Sequence, residues 1–185
     1  MKKRILLLTG NPGVGKTTVV MEVVDSLKEK GYNVGGIVSR EVRSDNVRTG
    51  FEIIDLMSER QGWLARVTSG TGPRVGKYRV EMHDLESIGA RAIIDAVDGS
   101  DVVVIDEIGP MELFSGGFKD AVKKALECAK VVLCVVHRRA HDPILDSLKN
   151  REDAELFEVT LENRSSLSRL ILERAFFILS TRSEG

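Results

Sequence analysis

Gly10-Asn11-Pro12-Gly13-Val14-Gly15-Lys16-Thr17 fills every fixed position of the pattern GxxxxGK[ST], a loop built to wrap a phosphate chain. The glycines let the main chain approach an anion that a Cβ would hold off. The loop's N–H groups then converge on phosphate oxygens, and a helix opening at Lys16 adds its positive end. The Lys16 ammonium can reach the β- and γ-phosphates, and the Thr17 hydroxyl suits Mg²⁺. The alternative is an ordinary Gly-rich turn. Against it, all fixed positions are filled and the loop stands after a short apolar strand and before a helical pattern.

Val102-Val103-Val104-Ile105-Asp106-Glu107 is a buried-strand run that ends in two carboxylates. Asp106, at the carboxyl end of the strand, is expected to hold Mg²⁺, mainly through the ion's water ligands. Glu107 is expected to orient and polarise an attacking water, as in the additional-strand, catalytic-glutamate branch of P-loop proteins. A solvated Asp-Glu pair closing a strand is the plain alternative, and the phosphate loop weighs against it. Lys16 and Glu107 are therefore the expected catalytic residues, with Thr17 and Asp106 as metal ligands.

These residues need a frame. Five short segments, 4–9, 34–40, 101–106, 131–136 and 156–160, stand out as apolar, and runs such as 102–105 are apolar on both faces, which marks parallel strands covered by helices. Helical patterns lie between most of them: 16–30 ending at Gly31, 84–97, 118–129, and a short one opened by Asp142-Pro143. A last helix places Leu167, Leu170, Ile171, Ala175 and Ile178 on one face. The expected fold is α/β, a three-layer P-loop NTPase with a mostly parallel sheet; the likeness of Asp106-Glu107 to the catalytic-glutamate branch implies the core order 5-1-4-3-2. Residues 41–82 interrupt the alternation and read as an added region of antiparallel β-hairpins, with turns at Ser44-Asp45-Asn46 and at 58–62. No repeat or linker divides the chain, so 1–185 is expected to be one domain.

That strand order places further candidates. The fourth strand emerges beside the γ-phosphate, where His137 can sense that phosphate and Arg138 can offset developing charge; a basic surface turn is the other reading. The fifth strand neighbours the first, which brings Asn163 and Arg164 beside the phosphate loop to bond to or stack on a base. Asn163 can equally cap the last helix, and both uses are compatible. Residues 69–78 imitate a second phosphate loop, but the glycines are mis-spaced and Tyr78 stands where Ser or Thr is required; a mobile loop is expected. Arg40, Arg43 and Arg48 are expected to decorate a solvated face, with contact to phosphate or an arginine finger in cis or trans as the other readings.

Lys plus Arg number 27 against 28 Asp plus Glu, a net charge of −1, which gives no global reason to bind nucleic acid or an anionic membrane. No apolar run approaches the roughly 20 residues that span a bilayer. Ile5-Leu6-Leu7-Leu8 is too short for a signal sequence. Cys128 and Cys134 fit no metal or redox spacing, and His137 and His141 lack a third ligand. A cytoplasmic monomer is expected, with nucleoside triphosphates as partners and no membrane or nucleic acid.

Five segments together resemble one family. They are Gly10 to Thr18, Arg40-Glu41-Val42-Arg43 with Arg48-Thr49-Gly50-Phe51, Gly76-Lys77-Tyr78-Arg79-Val80, Asp106-Glu107-Ile108-Gly109-Pro110-Met111-Glu112-Leu113, and Val159-Thr160-Leu161-Glu162-Asn163-Arg164. The likeness is to the thermophile-type nucleoside-triphosphatases, whose vertebrate members are called cancer-related nucleoside-triphosphatases. The phosphate loop is common to many families, whereas the run to Leu113 and the terminal Glu-Asn-Arg are particular. Ser39 departs from the pattern, which has Thr there. The resemblance implies hydrolysis of ATP, GTP, CTP, UTP and TTP to the diphosphate, with Mg²⁺ and little base preference. It also implies nucleotide contacts from Gly10, Asn11, Pro12, Gly13, Val14, Gly15, Lys16, Thr17 and Thr18. Two other classes compete. A small-molecule or nucleotide kinase needs a second substrate pocket and an Arg-rich lid. A nucleotide-dependent switch or RNA-associated module uses hydrolysis only to reset a binding state.

Overall fold

Runs of Val, Ile and Leu without polar alternation form the centre of one nine-stranded sheet, where helices cover both faces. The computed structural model describes residues 3–181; Met1, Lys2 and 182–185, which the one-domain expectation included, lie outside the described residues. Along the chain the strands are β1 (Ile5–Thr9), β2 (Val34–Ser44), β3 (Val47–Asp55), β4 (Gln61–Arg66), β5 (Arg74–Val75), β6 (Tyr78–Val80), β7 (Val102–Ile108), β8 (Val131–Val136) and β9 (Ala154–Glu158). Their order across the sheet is β5-β6-β4-β3-β2-β7-β8-β1-β9. From β2 to β9 all neighbours run parallel, and taken alone these five give the expected 5-1-4-3-2.

The helices are α1 (Lys16–Glu29), α2 (Met82–Asp84), α3 (Arg91–Gly99), α4 (Gly116–Glu127), α5 (Pro143–Lys149) and α6 (Arg164–Ser180). Strand periodicity divides the core between two layers. Leu6, Leu8, Val102 and Val104 point toward α1 and α6, whereas Ile5, Leu7, Val103 and Ile105 point toward α3, α4 and α5. Local signals start the helices. Asp142 accepts from the Ile144 N–H at 3.0 Å ahead of Pro143, and Ser115 accepts from the Phe118 N–H at 3.0 Å.

The antiparallel region departs from expectation in detail. β2 continues beyond Arg40 to Ser44, because the tight turn at Asp45 (φ 49) and Asn46 (φ 63) carries its ladder directly into β3. The stretch 69–78 is more than a mobile loop. Its second half forms the small β5–β6 hairpin around Gly76-Lys77, and Lys77 Nζ lies 5.3 Å from the Tyr78 ring centre. The predicted helix over 84–97 begins at Met82 and passes through a π-helical stretch, Leu85–Ala90, before α3.

Candidate active site

β1 ends at Thr9, and Gly10 to Gly15 turn the chain into α1. Gly15 sits at φ +99, a backbone conformation that favours glycine, and a Cβ there would come within 3.2 Å of Arg164 Nη1. Lys16 Nζ lies over its own loop, donating to the carbonyls of Gly10 (3.2 Å) and Asn11 (3.1 Å).

β7 delivers the acids. Asp106 is only 2% exposed, and its Oδ2 has no hydrogen-bond partner among the described residues. Burial pushes the carboxyl up to about 7, against the pull of the Thr17 hydroxyl and with a further push from Glu107. A buried, unmatched carboxylate oxygen beside a hydroxyl is a poor arrangement on its own and a good half-shell for a hard dication. Among the described residues no group of three or more His, Cys, Asp or Glu could hold a metal ion; the Asp106 carboxylate and Thr17 hydroxyl are the donors that would hold one beside the phosphate loop. Glu107 is half-buried and its carboxyl is also pushed up by burial, while Lys16 and then His137 draw it down.

Sequence reasoning missed a third acid as a site residue. The chain turns at Gly109-Pro110 into a short 3₁₀ segment, and Glu112 there is 5% exposed. Its Oε2 accepts from the Gly109 N–H at 3.1 Å. A Cβ on Gly109 would meet Glu107 Oε1 at 3.0 Å, Glu112 Oε2 at 3.2 Å and His137 Cβ at 3.5 Å, so these three side chains surround one small residue. Burial, and then repulsion by Glu107, push the Glu112 carboxyl up to about 8. The available signal was a second Glu five positions after the first, separated by a Gly-Pro turn that folds it back.

A cavity of about 750 Å³ joins the phosphate loop to the acids: Gly13, Lys16, Thr17 and Thr18 line it together with Asp106 and Glu107. Its far wall is the β2–β3 hairpin. Arg40, Glu41, Arg43, Arg48 and Phe51 line that side. The three arginines therefore do not merely decorate a solvated face, because the sheet carries β2 past the end of β7 and curls its extension toward the loop. Arg43 Nη2 and Arg48 Nη1 both donate to Glu41, at 2.9 and 2.6 Å, and Arg40 pairs with Glu52. Arg48 Nε also donates to the Tyr78 hydroxyl at 2.9 Å, and its guanidinium lies 5.1 Å from the Phe51 ring centre.

The remaining candidates stand around the loop. Arg138 pairs with Glu158 at 2.7 Å and reaches Asn11 Oδ1 at 3.4 Å. The His137 Nδ1 accepts from the Arg139 N–H at 3.2 Å. Asn163 occupies the position before α6, but its side chain does not cap the helix: Oδ1 accepts from the Thr160 N–H and Nδ2 donates to the Glu158 carbonyl, both at 2.8 Å. Its amide thus locks the β9–α6 loop. Arg164, exposed, lies against Gly15 outside the lining of the large cavity. Cys134 is buried in β8, where desolvation pushes its thiol up to about 12.

A nucleotide-phosphate loop at the tip of β1, an acidic pair on β7 and a strand between them define a P-loop NTPase. Residues 5–172 match the family model described as NTPase, and the chain belongs to that family. Nucleoside-triphosphatase THEP1 of Thermofilum pendens is 48% identical over 90% of this chain and 92% of that protein. The Methanopyrus kandleri protein of the same name is 46% identical over 96% of this chain and 98% of its own. Among solved structures, the crystal structure of THEP1 from Aquifex aeolicus superposes with a TM-score of 0.79 at 31% identity, covering 91% of this chain and 97% of the other. The solution structure of a human cancer-related nucleoside triphosphatase gives 0.78 at 35% identity, covering 92% and 96%. No helix among the described residues is long and apolar enough to cross a membrane.

Proposed function

We propose that the protein hydrolyses nucleoside triphosphates to the diphosphate and phosphate, with Mg²⁺ and with little selection among ATP, GTP, CTP, UTP and TTP. It acts as a cytoplasmic monomer. The observation that carries this reading is the single cavity in which the phosphate loop, Asp106 and Glu107 meet.

In this reading the N–H groups from Gly13 to Thr18 hold the phosphates, and Lys16 moves from its loop carbonyls onto the β- and γ-phosphates. Thr17 and Asp106 are the residues that would hold Mg²⁺, whose charge would offset that of the phosphates. Glu107 takes a proton from a water whose oxygen bonds to the γ-phosphorus. The bond to the bridging oxygen breaks, and the electron pair leaves with the diphosphate. Burial makes Glu107 a stronger base than an exposed carboxylate, and Lys16 and His137 keep it from becoming simply neutral. His137, packed beside Gly109 with Glu107, and Arg138, which reaches Asn11, are the residues that would sense the γ-phosphate. Arg164 stacks on the base from the Gly15 side. The Asn163 amide holds the β9–α6 loop beside the phosphate loop through the Thr160 N–H and the Glu158 carbonyl, which leaves its second N–H and second lone pair for a base.

Phosphate release from each of the five triphosphates tests the reading. Glu107→Gln should keep nucleotide binding and lose about 10²–10⁴ in turnover. Lys16→Ala should lose binding or turnover. Equal loss of binding in the Glu107 variant would remove the water-activating role.

A further inference from the structure

Past Ile105 the regular sheet stops fixing the chain that carries the two acids. The β2–β7 pairs end at Ile37 with Ile105, and the β7–β8 register shifts between Ile105 and Ile108. Asp106 and Glu107 thus stand outside the paired positions, with the chain anchored at Ile105 before them and at the turn of Gly109 after them. We infer that Glu112 is the positioning residue for Glu107: its buried carboxyl clamps the Gly109 N–H and so fixes where the Glu107 carboxylate stands. The inference rests on the reading in which Glu107 activates the water.

Gly109 is held through both of its main-chain groups. Its N–H donates to Glu112 Oε2 at 3.1 Å, and its carbonyl accepts from the Leu113 N–H at 3.0 Å, which folds the 3₁₀ segment back against the end of β7. The Ile108 carbonyl accepts from the His137 N–H at 3.1 Å and ties the same turn to the end of β8. Only the first of these bonds uses a side chain, so only that one depends on which residue stands at 112. The turn also lies directly against the acid. A Cβ on Gly109 would meet Glu107 Oε1 at 3.0 Å and Glu112 Oε2 at 3.2 Å, so the two carboxyls flank one Cα and a shift of Gly109 is felt by both.

Position separates the two roles. Glu107 lines the cavity that the phosphate loop shares, whereas Glu112 is 5% exposed and is not part of that lining. Glu112 therefore acts through Glu107 rather than on substrate. A buried carboxyl is costly in a turn that an apolar residue could fill, unless its acceptor oxygen has a task. Burial pushes this carboxyl up to about 8, so at neutral pH it adds little negative charge beside Glu107. Placement matters because a displacement of about 1 Å in a group that orients a reactant can cost about 10² in rate.

Steady-state phosphate release, and binding of a non-hydrolysable ATP analogue, both with Mg²⁺ on the full-length protein, test the clamp. Glu112→Gln keeps an acceptor for the Gly109 N–H and should stay within about threefold of the unaltered rate. Glu112→Ala removes the acceptor and should lower kcat about 10–100-fold, with KM and analogue affinity unchanged. The same change made in Glu107→Gln should cost nothing further, because the group it positions is already gone. Gly109→Ala reads the contact by a second route: its Cβ presses on Glu107 Oε1 and should lower kcat about tenfold at unchanged KM. Full kcat in a folded Glu112→Ala or, where that variant does not fold, in Gly109→Ala overturns the inference. So does a Glu112→Gln rate as low as that of Glu112→Ala, or an equal further loss in the Glu107→Gln background; all of these leave hydrolysis by Glu107 standing. Full turnover in Glu107→Gln alone would instead strike the reading of Glu107, and the inference with it.

Discussion

The two halves of the sheet are built by different rules. In the parallel half, β1, β7 and β8 are buried on both faces, and β8 has no exposed residue. The candidate chemical groups stand there at the carboxyl ends: Gly10 just past β1, Asp106 near the end of β7 and His137 just past β8. In the antiparallel half, the tip of β2 and β3 is half-exposed, and ion pairs and an arginine over an aromatic ring replace apolar packing. Rigid packing can hold a phosphate loop and an acid in register, whereas a polar hairpin can change its partners cheaply. In the proposed function the parallel half carries the chemistry, and the hairpin forms a wall of its cavity.

The largest contrast should be catalytic: Glu107→Gln lowers turnover by orders of magnitude, whereas Arg48→Lys on the exposed hairpin changes it severalfold at most. Comparable turnover losses in steady-state phosphate release would erase the division. Stability should divide next. Ile105→Ala, at a site with 0% exposure on β7, should cost about 2–5 kcal/mol in denaturant unfolding. Arg40→Ala, removing an exposed pair with Glu52, should cost about 1 kcal/mol or less.

The pH response sharpens the picture for Glu112. Its carboxyl is raised from 4.5 to about 8 in the fold, so the neutral form is favoured and its contribution is complete below the unfolded value. Stability should therefore fall as pH rises between those two values, with Asp106, raised to about 7, adding to the slope. Glu112→Gln, which stays neutral, should flatten the decline of melting temperature with pH, and an unaltered slope would refute the assignment. Arg164→Ala should have the smallest effect, a several-fold rise in KM across all bases with kcat little changed; an unchanged KM would return Arg164 to the surface.

The frame and the phosphate loop were legible because their signals are local. GxxxxGK[ST] names its own geometry, and a double-faced apolar run such as Val102–Ile105 fits only a covered parallel strand. The hairpin wall was not legible in the same way. Arg40, Arg43 and Arg48 look like any polar surface until the Asp45-Asn46 turn and the β2–β7 pairing aim them at Lys16, and those are long-range facts. Asn163 shows the converse limit, since its type permitted a cap or a base contact and the turn from Glu158 claimed its amide for a third use.

The solitary oxygen of Asp106 has a consequence beyond turnover. A side chain walled in by β7 and left one partner short makes the resting chain's heat tolerance depend on the salt around it. A divalent ion that binds only the folded form raises the melting temperature with the logarithm of its concentration once that exceeds the dissociation constant. The same molecule should therefore soften earlier in a chelating buffer than in a magnesium-rich one, even before any substrate arrives.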